Sequence, residues 1–184
     1  EVSLERSKFD WSHRNATTIN AGYLYPIDWQ EILPGDTVDF HTINQLIRMT
    51  TPQVPVMDEA VCDIYTFFVP NRIVWSHWEE LMGANKSSYW APSVQYEVPS
   101  HTTQAIRDSL DVDQCFALYD SLGLPVNVLK KYTTDSCDNT KPFISDLPMR
   151  AYNLIWNEWF RDENLQNPVL VSLGDTAPDP NDYK

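Results

Sequence analysis

The stretch CDIYTFFVPNRIVWSHWEELMG, residues 62–83, decides how the rest of the chain is read. Its first half, extended back to Val61, is apolar in both phases of a two-residue alternation. Val61, Tyr65, Phe67 and Val69 share one phase; Cys62, Ile64 and Phe68 share the other. A strand covered on both faces has this pattern. Asp63 is the exception and needs a partner or an edge. Pro70-Asn71 ends the strand, because proline cannot donate to a ladder. The second half has helical spacing. Trp75, Trp78 and Met82 fall at i, i+3 and i+7, Glu79 and Glu80 fall elsewhere, and Gly83 stops the run. Asn71 is a candidate cap, with Ser76 and Glu79 as an alternative capping box. A stretch this apolar must be covered by something: an active-site pocket, the chain's own core, or other copies of the chain.

The flanking segments extend the pattern. Residues 1–16 are polar with isolated aromatics, Phe9 and Trp11, and read as an extended N-terminal arm. Residues 18–29 favour strand, LPGD at 33–36 is a turn, and 37–49 is a second strand whose phase slips near Thr42. Two prolines exclude 51–58 from a central strand. Residues 102–110 and 113–122 read as short helices, the second ended by Gly123 and Pro125, and 132–146 reads as polar loop. The longest expected helix is 145–165. Ser145 or Asp146 caps it, Pro148 sits in its first turn, and Met149, Tyr152, Trp156, Trp159 and Phe160 form its apolar stripe with Ile155 beside it. VLVSL, 169–173, is a short strand, and an acidic loop follows. Strands come first and helices later, which is not the alternation of a parallel α/β fold. It fits an antiparallel β domain with long helical insertions.

The chain has 184 residues, 42% hydrophobic and 12% aromatic, enough for a packed core. Thirteen prolines against five glycines suit long, punctuated connections more than tight hairpins. A formal charge of −13 disfavours phosphate binding by the chain as a whole and suits a basic partner. Cys62, Cys115 and Cys137 lack CxxC spacing, which argues against zinc or a disulfide framework and for free thiols in a reducing compartment. Cys62, inside the apolar run, reads as a buried structural thiol. Neither a membrane span nor a signal peptide is visible.

Catalytic signatures are missing. There is no phosphate-binding glycine loop, no G-x-S-x-G and no H-E-x-x-H. HWEE at 77–80 has the wrong spacing for zinc on a helix and reads as a solvated face. Asp175, Asp179 and Asp182 lack the EF-hand pattern and read as a solvated tail. Two alternatives remain open: an acidic β-sandwich that holds carbohydrate on exposed aromatics, or a carboxylate-based glycosidase using Glu79/Glu80 or Glu158/Asp162.

Six blocks carry a resemblance: RSKFD (6–10), NAGYLYPI (20–27), EILPGDT (31–37), RMTTPQVPVMD (48–58), DIYTFFVPNRIVWSHWEELMGANK (63–86) and LPMRAYNLIWNEWFRDENLQ (147–166). In this order they resemble the major capsid proteins of the Microviridae, small icosahedral phages with single-stranded DNA, and are most similar to the gokushovirus branch. Residues 87–146 depart further from the pattern. The resemblance implies a viral jelly-roll barrel with large insertions, many copies of which form a shell around circular single-stranded DNA. Family members are much longer, so this chain is expected to be the N-terminal part. It would supply early strands at 18–29, 37–49 and 60–69, with a helical insertion over about 71–166 and the arm at 1–16.

The implied role is structural, with no catalytic site, cofactor or metal. The implied partners are other copies of the capsid protein, an internal scaffolding protein, a small basic DNA-packaging protein, a DNA pilot protein and the enclosed single-stranded DNA, with no membrane. The implied location is the virion, assembled in the cytoplasm of a bacterial host. The candidate core or interface residues are Tyr65, Phe67, Phe68, Trp75, Trp78, Met82, Tyr152, Trp156, Trp159 and Phe160.

Overall fold

The helical half of the 62–83 stretch folds as two single turns, not as one continuous helix. In the computed structural model, which describes residues 7–41, 45–86, 95–102, 118–123 and 143–177, α1 spans Asn71–Val74 and α2 spans Trp78–Leu81. Pro70 holds the cap position, so Asn71 is the first helical residue and not the cap. Trp75 is extended, at φ −149° and ψ 126°, and breaks the helix. The Ser76 capping box does not form either. His77 stands at the cap of α2 without a side-chain bond, while the Ser76 amide and hydroxyl both donate to Leu173 O at 3.1 and 3.0 Å. A four-residue turn gains little from helical cooperativity, so a distant carbonyl captures these donors. Gly83 ends α2 as expected, at φ +99°.

The other elements are also short. β1, Ser100–Thr102, pairs antiparallel with β2, Phe143–Ser145, with Ser100 opposite Ser145 and Thr102 opposite Phe143. This ladder falls in part on residues expected to be polar loop. Three residues are too few to show an alternation, and the partner lies some forty positions away. α3, Leu118–Ser121, lies inside the helix expected at 113–122, and Gly123 closes it. The helix expected at 102–110 starts on the last residue of β1 and otherwise lies outside the described residues.

α4 spans Leu147–Ile155, with Pro148 in its first turn. It then widens into a π-helical segment, Trp156–Phe160, that closes with the Arg161 N–H donating to Trp156 O at 2.9 Å. The expected helix over 145–165 is therefore shorter and changes pitch within the stripe. A π turn takes more residues per revolution, so later side chains rotate off the α-helical face. Met149 is buried, Tyr152, Trp156 and Phe160 are half-buried, and Trp159 points outward at 72% exposure.

Leu118, Tyr119 and Leu122 from around α3 pack on Met149 of α4, with Ile144 and Tyr152 at the margin. Two side chains lay residues 23–29 along this core. The Tyr152 hydroxyl donates to Leu24 O at 3.0 Å, and the Trp29 indole donates to Leu122 O at 3.1 Å.

Residues 30–69 form a contact unit distinct from the one made by 1–29 and 70–184. In it the turn at 33–36 forms as expected, with the Asp36 N–H donating to Leu33 O at 3.1 Å and Gly35 at φ +90°. Among the described residues, 18–29, 37–41, 45–49, 60–69 and 169–173 form no ladder, contrary to the strand expectation. A strand is completed by a neighbour's backbone groups, and these segments meet none here. Cys62 is exposed for the same reason, not buried. The alternation itself is preserved locally: Tyr65 and Phe67, in one phase, bring their rings together at 6.4 Å and 28°.

Candidate functional site

Of the aromatic residues in the opening stretch, only Trp75 is fully covered by this chain. Its side chain is completely buried, and its indole N–H donates to Asp175 Oδ1 at 2.9 Å. His77 Nδ1 approaches the same oxygen at 2.6 Å. His77 also stacks on Tyr96 at 4.1 Å and 8°, and meets Trp75 edge-on at 6.5 Å. Trp78 is half-buried against Trp75, their ring centres 6.4 Å apart. Met82 is exposed. The stripe Trp75, Trp78, Met82 is therefore not one face, because the extended residue at 75 breaks the helical phase.

Beneath this aromatic group lies a fully buried ion pair. Arg150 Nε donates to Asp146 Oδ2 at 2.5 Å, and both side chains are 0% exposed. The rest of the guanidinium donates to three carbonyls: Val74 O at 3.3 Å, Gly174 O at 2.9 Å and Thr176 O at 3.2 Å. Val74 is the last residue of α1, so its carbonyl is one of those a helix end leaves without an internal partner. Asp146 precedes α4 but does not cap it with its side chain. Its carboxylate holds Arg150 instead, and its own N–H donates to buried Pro99 O at 2.9 Å. One arginine thus ties together α1, α4 and residues 174–176. Lysine could not replace it, since only a planar fork reaches a carboxylate and several carbonyls together.

A second bracket holds the chain after the π segment. The Asn157 amide donates to Val169 O at 2.8 Å and accepts from Val169 N–H at 2.9 Å, imitating a strand partner. Val169 therefore spends both backbone groups on a side chain, one reason that 169–173 is not a strand. Asn157→Ala is expected to cost about 1–3 kcal/mol, since two such bonds contribute roughly 0.5–1.5 kcal/mol each. Urea denaturation should show the lower midpoint, and an unchanged midpoint would contradict the bracket.

The site has a definite electrostatic sense. The hydrogen bonds from His77 and Trp75 hold the Asp175 carboxyl below the ordinary aspartate value of 3.8. A depressed carboxyl stabilises the fold at pH above its unfolded value, and that contribution is lost as pH falls through the folded value. Acidification below about pH 4 is expected to loosen residues 173–176 from Trp75. Tryptophan fluorescence should change in that window in the wild type, and Asp175→Asn should remove that component. A component that survives in the variant would assign it to other carboxylates. HWEE is thus not a simple solvated face. His77 is half-buried and paired, and only Glu79 matches the expectation, exposed and 3.2 Å from Lys86. Asp175 is solvent-exposed as expected but is also tied to Trp75 and His77; Asp179 and Asp182 lie outside the described residues.

Serine, histidine and aspartate come together here without the geometry of a nucleophilic triad. His77 Nδ1 faces Asp175 as a triad would have it, but the Ser76 hydroxyl donates to Leu173 O and not to the imidazole. Among the described residues no group of three His, Cys, Asp or Glu side chains could hold a metal ion. Of the four carboxylates of the glycosidase alternative, Glu79 pairs with Lys86 and Asp162 accepts from the Asn164 N–H at 2.9 Å. The chemistry available is that of a clamp which fixes loops around α1 and α4.

Sequence pattern singles out the aromatics and offers Asp146 as a cap, but not its pairing with Arg150, the bracket at Asn157 or the partner role of Asp175. A signal for the pairing exists: Asp146 and Arg150 stand four apart, and Arg150 adjoins Met149 on the side that also buries Asn153. Tyr65, Phe67 and Phe68 belong to the 30–69 unit, where Phe67 is half-buried and the other two are exposed.

All 184 residues match the phage family described as capsid protein (F protein), and the chain belongs to that family. Within it the similarity is to capsid protein VP1 of the Microviridae. The chain is 38% identical to VP1 of Bdellovibrio phage phiMH2K over its full length, and 38% identical to VP1 of Chlamydia phage 1 over 96% of it. It is 30% identical to VP1 of Spiroplasma virus 4 over 92% of its length. The chain spans 31%, 28% and 28% of these relatives. Membership implies a viral jelly-roll capsid fold and a structural role. The carbohydrate and glycosidase alternatives find no support.

Proposed function

We propose that this chain is part of a structural subunit whose activity is assembly: many copies close into an icosahedral shell around circular single-stranded DNA. The observation that carries this reading is the family match over residues 1–184. Residues 18–29, 37–49 and 60–69 are early barrel strands, and their ladder partners belong to the part of the full subunit outside this chain. Their exposed apolar side chains support this, with Val61 at 82% and Phe68 at 77% exposure. The insertion at about 71–166 lies outside the barrel and is fixed by the Arg150 clamp, and residues 1–16 are an arm.

Other capsid subunits are the principal partners. An internal scaffolding protein, a small basic DNA-packaging protein and a DNA pilot protein are further ones, and the charge of −13 suits leaving DNA neutralisation to a basic partner. No helix among the described residues is long and apolar enough to cross a membrane. The location is the virion, with assembly in the bacterial cytoplasm. Co-expression of the full-length protein with its scaffold should give particles of uniform size by negative-stain microscopy. Monomers alone would count against the proposal.

Tyr65, Phe68, Met82 and Trp159 are the candidate contacts between subunits, being aromatic or apolar and exposed. Trp159→Ala is expected to change folding stability by less than about 1 kcal/mol, as at other exposed sites. It should nevertheless lower particle yield strongly. Normal yield would remove Trp159 from the interface.

A further inference from the structure

His13 has both ring nitrogens facing oxygen acceptors. Nε2 lies 2.7 Å from Asp28 Oδ2, and Nδ1 lies 2.9 Å from Trp11 O. Neither a backbone carbonyl nor an ionised carboxylate can donate. A neutral imidazole carries one N–H and satisfies one of the two; an imidazolium satisfies both. The observed geometry is therefore that of the doubly protonated ring. Deprotonation turns a lone pair onto one of the two oxygens and removes the charge that pairs with Asp28, so it breaks one contact and weakens the other.

These contacts matter because little else holds the segment. Residues 7–16 are all exposed, with Phe9 at 74% and Trp11 at 61%, so no buried apolar surface anchors them. Among the described residues, their side chains make one further long-range tie, the Asn15 amide donating to Ile27 O, next to Asp28. Asp28 is the charged group that meets His13 from the opposing segment. On its own segment the charged neighbours are Lys8, Asp10 and Arg14, and Asp10 is turned to the Ser12 amide and hydroxyl.

We propose that residues 7–16 form a proton-controlled latch, closed on Asp28 while His13 is an imidazolium and released when the ring loses its second proton. The Trp11 carbonyl and then Asp28 raise the His13 value above the ordinary 6.5, in the direction this geometry requires. A raised value stabilises the closed form fully below the unfolded value, and that contribution is lost as pH rises through the folded one. The latch is therefore shut in mild acid and opens on the alkaline side of the ordinary histidine range. Opening frees an arm carrying Phe9 and Trp11.

Limited trypsin digestion of the full-length protein tests this at Lys8 and Arg14, which flank the latch. Rates are taken from about pH 5.5 to 8.5, across the histidine range, and divided by those for an unfolded peptide of the same sequence. The wild type is expected to show a several-fold rise in normalised cleavage with a midpoint above 6.5. His13→Gln should be cleaved fast at every pH. Asp28→Asn should shift the step to lower pH, since the carboxylate charge is gone. A flat wild-type profile, or a step that persists in His13→Gln, overturns the proposal. Both variants alter exposed side chains, and unchanged circular dichroism confirms that each has folded.

Discussion

Trp75→Ala is expected to destabilise the protein by ~3–5 kcal/mol, the range for truncating a buried aromatic. Trp75 is completely buried, and burial of a Trp contributes at most about 4–6 kcal/mol, from ~150–250 Å² at ~25 cal/mol/Å². The substitution also removes the indole donor from Asp175 and the edge that Trp78 and His77 pack against. Three segments meet at that side chain, so the surroundings cannot collapse into the cavity without moving a loop fixed elsewhere by Arg150. Trp75→Phe keeps most of the apolar volume and should cost less, with about 1–2 kcal/mol for the lost hydrogen bond. Urea denaturation of the full-length protein followed by circular dichroism separates the two variants. If Trp75→Ala unfolds at the wild-type midpoint, Trp75 is not what anchors this region. By contrast Trp156, which the helical stripe puts on the same footing, is half-buried and at the start of the π segment. The ~3–5 kcal/mol that a core reading assigns to Trp156→Ala is accordingly expected to fall at or below its lower limit.

The difference between Trp75 and Trp156 illustrates what was legible in the sequence. Identity and type of local signal came through: the proline before α1, the turn at 33–36, Gly83 and Gly123 as stops, Pro148 in the first turn of α4. Each acts through its own backbone preference, which needs no partner. The family blocks were legible for a similar reason, since they are strings of residue types. What was not legible depends on distant chain. The helix at 71–82 breaks because Leu173 O captures Ser76, nearly a hundred residues away. The strand at 169–173 is lost because Asn157 takes both backbone groups of Val169. The two-phase apolar pattern at 61–69 records a need for cover on both faces, and a pattern cannot say which chain supplies it. The aromatic stripe of α4 implies one helical pitch, and a π turn changes pitch without a distinctive residue type.

Arg150→Met is expected to be as damaging as Trp75→Ala, at ~3–5 kcal/mol, because it leaves one partner of a buried pair behind. Asp146 would keep a charge at 0% exposure with its cation gone, and Val74, Gly174 and Thr176 would lose the guanidinium donors on their carbonyls. Asp146→Leu leaves the converse defect, a buried cation still bonded to three carbonyls. It should therefore cost somewhat less than Arg150→Met, since the positive charge keeps those acceptors. The double variant Asp146→Leu/Arg150→Met is expected to recover part of the loss, because both charges are then absent and only the carbonyls remain unsatisfied. Arg150→Lys keeps the charge but not the fork and should behave like a partial loss, with residues 173–176 more accessible to proteases than α4. Denaturation midpoints of the wild type, the single variants Arg150→Met and Asp146→Leu, and the double variant form a thermodynamic cycle. Strict additivity of the two single substitutions would mean that the pair is not coupled, and that Arg150 holds the clamp through its carbonyl contacts without help from Asp146. The coupling has a consequence for assembly. α1 cannot be held until α4 and residues 174–176 are present, so the surface around Trp78 and Met82 is completed only after about a hundred further residues have been synthesised and folded. Variants that break the pair should therefore lose particles before they lose secondary structure, and comparing particle yield with circular dichroism across the cycle measures that order.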